Sequence, residues 1–304
     1  MLKININNET SKLVSVILGT AVSNGSIPKI EDCYDPKSKE HILNGTYPTE
    51  DDMIAELGLF ENVLKKHKVK VYRPKEIIDY NQIFTRDISF VIEDKIILSN
   101  MIDNRSLELS AINYIIDQIP TKNVIRLSSD CHIEGGDVIL CNDHVFIGIY
   151  TGEDYSNYIT ARTNINAVNA LIEIFPNKTI KTFELRKSNN SPKDNALHLD
   201  CCFQPLGNNK AILHPEGFLI KDECDWLIDF FGKENIFETT KEEMCNMNCN
   251  VFSISENIVV SENKFYRLNK WLNSNGFEVE TIKYSEIAKQ EGLLRCSTMP
   301  LIRK

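Results

Sequence analysis

The sequence lacks any hydrophobic run long enough to cross a membrane. No apolar stretch approaches the roughly 18 residues that a membrane-spanning helix requires, and the first ten residues lack the apolar segment of a signal peptide. We therefore expect a cytoplasmic protein that does not insert into a membrane.

The sequence also lacks an excess of positive charge. It contains 34 Lys and Arg against 43 Asp and Glu, which gives a formal net charge of −9. Nucleic acid is therefore not an expected partner, because no basic field is present to attract a phosphate backbone. A small cationic substrate suits this balance, although a charge of this size is also common on ordinary protein surfaces.

Signatures of bound cofactors are absent as well. The chain contains no glycine-rich phosphate loop, and Cys245 and Cys249 have no second Cys or His pair at a zinc-finger spacing. The nine cysteines are an odd number in a chain too long to need disulfides, so we expect mostly reduced, buried thiols. No metal, nucleotide or redox cofactor is predicted.

What the sequence does contain is a repeat. Four segments each begin with a polar residue, Asp or Asn, followed by an apolar strand, a short polar turn and a second β-branched strand, which is the pattern of a hairpin. These segments are 86–99, 136–148, 199–213 and 249–261. Since they recur along most of the chain, they indicate one structural unit used several times.

Helical patterns lie between the hairpins and complete the unit. Apolar spacing near i, i+3, i+4 predicts helices over 51–68, 105–118, 162–175, 221–231 and 264–275. A further strand follows, as at 70–72, 123–126 and 278–282. The unit is thus ββαβ, and a fifth copy forms if residues 296–303 pair with 12–18 and close a ring. The alternative is a generic α/β protein whose hairpins are similar by chance.

A cysteine, a histidine and several carboxylates occupy equivalent places in the repeats. Cys296, His198, Glu134, Asp87 and Asp200 precede or begin the first strands, which converge on the axis of a closed ring. A cysteine with a distant histidine is typical of a thiolate nucleophile and its acid/base partner. If His198 and Asp200 lie in one strand, they share a face. The alternatives are a buried structural thiol and a core histidine, and Asp137 is expected to close a turn rather than to touch substrate.

Four motifs carry a family resemblance. In chain order they are Asn81-Gln-Ile-Phe-Thr-Arg-Asp87, Ile133-Glu-Gly-Gly-Asp137, Leu197-His-Leu-Asp200 and Leu294-Arg-Cys-Ser-Thr-Met-Pro-Leu301. They resemble the signatures of the guanidine-modifying superfamily of arginine deiminases, dimethylargininases and amidinotransferases. The resemblance implies the pentein fold, a five-bladed α/β propeller of ββαβ units with pseudo-fivefold symmetry, here as a single catalytic domain over 1–304.

The resemblance also implies roles for individual residues. Cys296 matches the nucleophile, His198 the general acid/base, and Glu134 the carboxylate that works with the histidine. The residues that match substrate-binding positions are Asp87 and Asp200 for the guanidinium, Asn81 and Phe84 for the cleft, and Arg105 and Arg162 for a substrate carboxylate. One stretch departs from the pattern, because Gly292-Leu-Leu-Arg295 stands where deiminases commonly carry Gly-Gly-Pro-Arg.

The function implied is hydrolysis of a small cationic guanidino substrate, arginine or a derivative, through a covalent Cys296 intermediate. The product is a ureido compound such as citrulline. One alternative is an amidinotransferase, which passes the amidino group to an acceptor amine. An alternative of another class is a non-catalytic pentein binding module. The sequence leaves open whether the chain forms a homodimer.

Overall fold

The computed structural model describes residues 1–304 and contains fifteen strands and eight α-helices. The strands are β1 Leu13–Leu18, β2 Lys70–Tyr72, β3 Ser89–Ile92, β4 Lys95–Leu98, β5 Val124–Arg126, β6 Val138–Cys141, β7 His144–Ile149, β8 Thr179–Glu184, β9 Phe203–Leu206, β10 Lys210–Leu213, β11 Ile236–Glu238, β12 Phe252–Ser255, β13 Ile258–Glu262, β14 Glu278–Ile282 and β15 Thr298–Arg303. The helices are α1 Pro36–Leu43, α2 Glu50–Lys66, α3 Thr85–Ile88, α4 Asn113–Ile116, α5 Ile165–Ile174, α6 Lys221–Phe231, α7 Lys241–Cys245 and α8 Tyr266–Ser274.

The strands form five separate three-stranded sheets. Their strand orders are β3-β4-β5, β6-β7-β8, β9-β10-β11, β12-β13-β14 and β15-β1-β2. In each sheet the middle strand pairs antiparallel with one neighbour and parallel with the other. Five equivalent sheets confirm the predicted five-bladed α/β propeller.

The fifth sheet joins the two ends of the chain. Strand β15 runs antiparallel to β1, with Leu18 opposite Thr298 and Val16 opposite Pro300. Strand β2 then pairs parallel with β1. The predicted pairing of the C-terminal segment with residues 12–18 is therefore confirmed, and this pairing places Cys296 two residues before β15.

The hairpin turns follow the predicted polar residues. Glu93, Asn142, Asn208 and Asn209 all adopt left-handed backbone conformations, with φ between 54° and 56°. Primed two-residue turns require positive φ because that geometry matches the twist of the flanking strands, and Asn tolerates it better than most residues. The turns thus fix the register of each hairpin.

One predicted helix takes another form. The segment 105–118 contains 3-10 turns at Asp103–Arg105 and Glu108–Ile112, followed by the single turn of α4. In this segment Arg105 and Glu108 are buried and bonded to each other three residues apart. A 3-10 conformation brings side chains at i and i+3 into line, so a tight backbone suits this pair better than a regular α-helix.

The centre of the ring contains buried charge as well as apolar side chains. Glu9 lies 2.9 Å from Arg295 and 4.0 Å from Arg86. Burial would raise the pKa of Glu9, but Arg295 and Arg86 outweigh burial and lower it to about 2. Away from the axis, residues such as Val16 and Ile17 are fully buried. None of the eight helices combines the length and apolar character needed to traverse a bilayer.

Candidate active site

The candidate functional residues stand on the short segments that lead into the first strand of each unit. Asp87 lies in α3 ahead of β3, Glu134 precedes the 3-10 turn Gly135–Asp137 ahead of β6, and Cys296 precedes β15. The prediction that His198 and Asp200 share one strand is wrong. They belong to a 3-10 turn, because the amide of Leu199 donates to the Asp137 carboxylate at 2.9 Å and the amide of Cys201 donates to the carbonyl of His198.

His198 lies between two carboxylates. Its Nε2 is 2.8 Å from Glu134 Oε2, and its Nδ1 is 3.7 Å from Asp87 Oδ1. Burial lowers the pKa of His198, but Asp87, the hydrogen bond to Glu134 and Asp137 together raise it to about 9. The imidazole is therefore protonated at neutral pH, with both ring nitrogens able to donate.

A glycine makes this packing possible. A Cβ atom added to Gly136 would lie 2.6 Å from Nδ1 of His198, closer than real side chains approach. The Gly135-Gly136 pair in the motif therefore leaves room for the imidazole directly above the backbone.

Two buried arginines hold the carboxylates in place. Nη1 of Arg105 donates to Asp87 Oδ2 at 2.7 Å, and its other nitrogens bind Glu108. Nη1 of Arg162 donates to both oxygens of Glu134, at 3.0 and 3.1 Å. Charge-assisted contacts of this kind fix both the position and the plane of a carboxylate. Arg162 and His198 therefore keep the pKa of Glu134 well below its usual range despite burial.

Within the site, one carboxylate oxygen has no hydrogen-bond partner. Asp87 is 3% exposed, and while its Oδ2 accepts from Arg105, its buried Oδ1 accepts from no group in the protein. Buried polar atoms are nearly always satisfied, and an unpaired charged oxygen is costly. This atom is consequently an open acceptor position beside His198.

Cys296 lies on the other side of the site. Its Sγ is 3.6 and 3.8 Å from the two oxygens of Asp200, whose Oδ2 also accepts from Arg295 at 2.8 Å. Asn250 donates to the sulfur at 3.1 Å. Burial, Asp200 and Asp87 raise the pKa of the Cys296 thiol well above its usual value, so the resting group is the neutral thiol.

Asn81 and Phe84 line a cleft of about 520 Å³ that opens to solvent. The ring of Phe84 lies against Gly292, where an added Cβ would be 2.4 Å from it. The cleft is lined by the carboxylates Asp32, Asp35, Asp79 and Glu108 and by no Lys or Arg. We call it the acidic cleft. Glu108 and the Phe84 carbonyl both bind Arg105, so one residue separates the cleft from Asp87.

Asp137 was expected to close the Gly135-Gly136 turn, but its side chain binds two more distant groups instead. Its Oδ2 accepts from Thr163 at 2.6 Å and its Oδ1 from the Leu199 amide. The sequence reasoning missed Asn250, Arg295 and Glu108 as members of the site. Only Asn250 had a usable signal, because it occupies the polar first position of the fourth repeat, where Asp87, Asp137 and Asp200 stand in the others.

Three ligand-type side chains are close enough to hold a metal ion. The nearest donor atoms of Asp87, Glu134 and His198 lie within 4.8 Å of one another. However, Arg105 and Arg162 already neutralise both carboxylates, and His198 is protonated. A metal ion such as Zn²⁺ needs a neutral imidazole, and Oδ1 of Asp87 is the one oxygen of these two carboxylates without a hydrogen bond. The set therefore suits a planar cation that donates hydrogen bonds better than a metal ion.

The five-bladed ring, with a cysteine, a histidine and carboxylates gathered before the first strands, defines a pentein of the guanidino-modifying superfamily. A family model described as "N,N dimethylarginine dimethylhydrolase, eukaryotic" matches residues 43–303. The chain belongs to this family.

Individual relatives include hydrolases. The uncharacterized protein YkgA of Bacillus subtilis is 33% identical over 223 residues, which cover 73% of this chain and 70% of YkgA. The arginine deiminase of Pediococcus pentosaceus is 25% identical over 264 residues, covering 74% of this chain. The match spans 62% of that deiminase, so this chain accounts for less than two thirds of its length.

Solved structures share the fold over nearly the whole chain. An amidinotransferase of the saxitoxin pathway from Microseira wollei superposes with a TM-score of 0.76 at 20% identity, covering 99% of this chain and 97% of that one. The N-terminal domain of ArgZ, the cyanobacterial arginine dihydrolase, gives 0.78 at 16% identity, covering 95% and 98%. That ArgZ structure holds a covalently bound reaction intermediate.

Proposed function

We propose that the chain is a hydrolase that acts on the guanidino group of arginine or an arginine derivative, and that residues 1–304 form one catalytic domain. The observation that carries this proposal is the unpartnered Oδ1 of Asp87, buried beside the protonated His198. A guanidinium offers five N–H donors in a plane and a positive charge, so it would satisfy this oxygen.

The charges around the site also favour a cationic substrate. The acidic cleft carries four carboxylates and no basic side chain, and burial raises the pKa of Glu108 to about 7 even though Arg105 opposes the rise. A bound cation would stabilise these carboxylates in their charged form. That Arg105 and Arg162 bind a substrate carboxylate stays a prediction, since both are already paired with acidic residues.

In the proposed first step, the bound substrate offsets the negative charge that opposes ionisation of the Cys296 thiol. Asp87 and Asp200 bind the guanidinium, whose charge offsets theirs, so the Cys296 thiol can release its proton to solvent. The thiolate attacks the central carbon and a carbon–sulfur bond forms. The carbon–nitrogen bond to the leaving amine then breaks, and His198 protonates that amine. Glu134 holds the imidazole in position through the 2.8 Å contact.

The second step returns the enzyme to its starting state. Neutral His198 takes a proton from a water molecule as the water oxygen attacks the same carbon. Collapse of the resulting intermediate breaks the carbon–sulfur bond and releases a ureido product and the Cys296 thiolate, which takes a proton from solvent to restore the resting thiol. An acceptor amine in place of water would give a new guanidine instead. Cys296 is only 2% exposed, so the site can keep water away from the covalent intermediate, as a transferase requires. An amidinotransferase is therefore the second candidate.

The test is mass spectrometry of products and of the enzyme itself. The protein is incubated with arginine, methylated arginines or agmatine, with and without glycine or ornithine, and then quenched. Trypsin releases the peptide 296–303, which contains Cys296 as its only cysteine. A hydrolase gives a ureido product and an adduct on this peptide that clears in plain buffer.

Two results would change the assignment. An adduct that persists until a primary amine is added identifies a transferase. The second result is that no guanidine gives a product or an adduct, so that the native protein behaves like the Cys296→Ser control. This result contradicts both enzymatic functions and favours the binding module.

A further inference from the structure

Asn250 contacts the sulfur of the proposed nucleophile. This fully buried residue lies two positions before β12, and its Nδ2 is 3.1 Å from Cys296 Sγ. The same nitrogen donates to the carbonyl of Asp200 at 3.2 Å, while Oδ1 accepts from the amide of Cys296 at 3.1 Å. The side chain therefore bonds both the backbone and the sulfur of one residue.

The orientation of this amide follows from its neighbours. The backbone N–H of Cys296 can only donate, so the atom facing it must be the carbonyl oxygen of Asn250. The Asp200 carbonyl can only accept, so the atom facing it must be the nitrogen. Both contacts select the same orientation, which leaves the second Nδ2–H directed at Sγ.

The repeat places an amide where the other units carry acids. Asn250 stands at the position of Asp87, Asp137 and Asp200 in the fourth unit. A carboxylate there could not donate to the sulfur and would add a third negative group beside Asp87 and Asp200, which already oppose thiolate formation. An asparagine has the same shape but presents a donor.

The backbone before Asn250 is held in an unusual conformation. Met247 is buried and has a φ of 69°, in the left-handed region that non-glycine residues seldom occupy. The amide of Asn250 donates to the Met247 carbonyl at 2.9 Å. This tight turn carries the chain from α7 to the axis, and such strain persists where the surrounding structure fixes it.

We propose that Asn250 is a catalytic residue that stabilises the Cys296 thiolate by donating the Nδ2–H hydrogen bond to its sulfur. The inference rests on the proposed covalent mechanism. The bond acts twice: once when the thiol has lost its proton and the sulfur attacks, and again when the carbon–sulfur bond breaks and the thiolate departs. Because the donor is present before substrate binds, it needs no rearrangement at either step.

The experiment measures the ionisation of Cys296 without using a substrate. The rate of iodoacetamide alkylation of the peptide 296–303 is followed against pH by mass spectrometry for the native protein and for Asn250→Asp and Asn250→Ala. We expect the rate at pH 8 to fall at least about 10-fold in both variants, and further in Asn250→Asp because it adds a negative charge. Asn248→Ala is the matched control, since Asn248 is buried in the same segment and makes no side-chain bond to Cys296.

Two further measurements complete the test: turnover of the variants, and a pH titration of asparagine side-chain amide signals in the native protein. With an active guanidine, kcat should fall at least 10-fold in Asn250→Ala while KM changes less than threefold, since the lost contact is to sulfur and not to substrate. In the native protein, one asparagine side-chain amide signal should shift at the same midpoint as alkylation. Unchanged alkylation profiles in folded variants, or no amide shift in the native protein, would overturn the role of Asn250. If alkylation slows in the variants as expected but the native protein turns over no guanidine, the proposed hydrolase is rejected while the role of Asn250 stands.

Discussion

Replacing Glu134 by glutamine removes one negative charge from the centre of the site while keeping the shape of the side chain. Glu134 accepts from His198 at 2.8 Å and from Arg162 at 3.0 and 3.1 Å. The substitution therefore tests the histidine and the arginine together. We expect two separate effects, one on the pKa of His198 and one on the free energy of unfolding.

The effect on the histidine can be worked out from its environment. A pKa raised from 6.5 to about 9 corresponds to about 3 kcal/mol in favour of the imidazolium, at about 1.4 kcal/mol per pKa unit. Burial opposes this, and the carboxylates of Asp87, Glu134 and Asp137 outweigh burial. Glu134 supplies the only direct hydrogen bond to the ring. Its loss should lower the pKa of His198 by at least about one unit.

The effect on stability has a definite pH dependence. Because the folded-state pKa of His198 lies above its unfolded value, its stabilisation is complete below pH 6.5 and is lost as pH rises through about 9. The native protein should lose stability across this window, and the variant should lose less. Independently of pH, the variant leaves Arg162 buried without its carboxylate, which costs about 3–5 kcal/mol.

The assay is an NMR titration of the histidine ring signals. The chain has six histidines, and the His198 signal is the one absent from His198→Ala. Denaturant unfolding at pH 6.5 and pH 9 measures the stability difference. A His198 pKa that stays within about 0.3 units of the native value, or rises, would refute the assignment of its charge to Glu134.

Three further outcomes are expected. Cys296→Ser should lower turnover by several powers of ten with an unchanged melting temperature, because a hydroxyl is far less nucleophilic than a thiolate; retention of a tenth of the activity would contradict the thiolate mechanism. Asp87→Asn should weaken the binding of guanidines, measured by calorimetry, by about 1.5–3 kcal/mol, and equal affinity for a neutral urea analogue in the native protein would count against the carboxylate contact. Leu301→Ala, in the closing strand, should lower the free energy of unfolding by about 2–5 kcal/mol, since Leu301 is fully buried; a loss below 1 kcal/mol in denaturant unfolding would show that ring closure contributes little.

The sequence alone determined the repeat and the positions of the candidate site residues. Alternating apolar strands and polar turns depend on neighbours within a few residues, so they remain readable without a structure. The helices α2 and α6 were predicted on this basis, whereas the pairing of β1 with β15 was predicted from closure of the ring; the structure contains all three. The motifs around Cys296, His198 and Glu134 likewise indicated the superfamily.

Secondary structure predicted from local residue spacing was wrong where tertiary contacts override the periodicity. The segment 105–118 has helical spacing, yet the buried pair of Arg105 and Glu108 lies in 3-10 turns. His198 and Asp200 have strand spacing, yet Asp137 binds the amide between them and a 3-10 turn forms instead. In both places a buried polar contact made by the fold decides the backbone.

Only the tertiary structure decided which charges meet. Arg295 binds Glu9 across 286 positions of the chain, and Asn250 reaches Cys296 across 46. Nothing in either segment encodes its partner, because the paired side chains lie far apart along the chain and the contact exists only once the ring is closed. The pKa of a buried group depends on the sum of such contacts. The sequence therefore shows which groups are available for chemistry, while the closed ring decides their protonation, their pairing and the open acceptor oxygen of Asp87 beside His198.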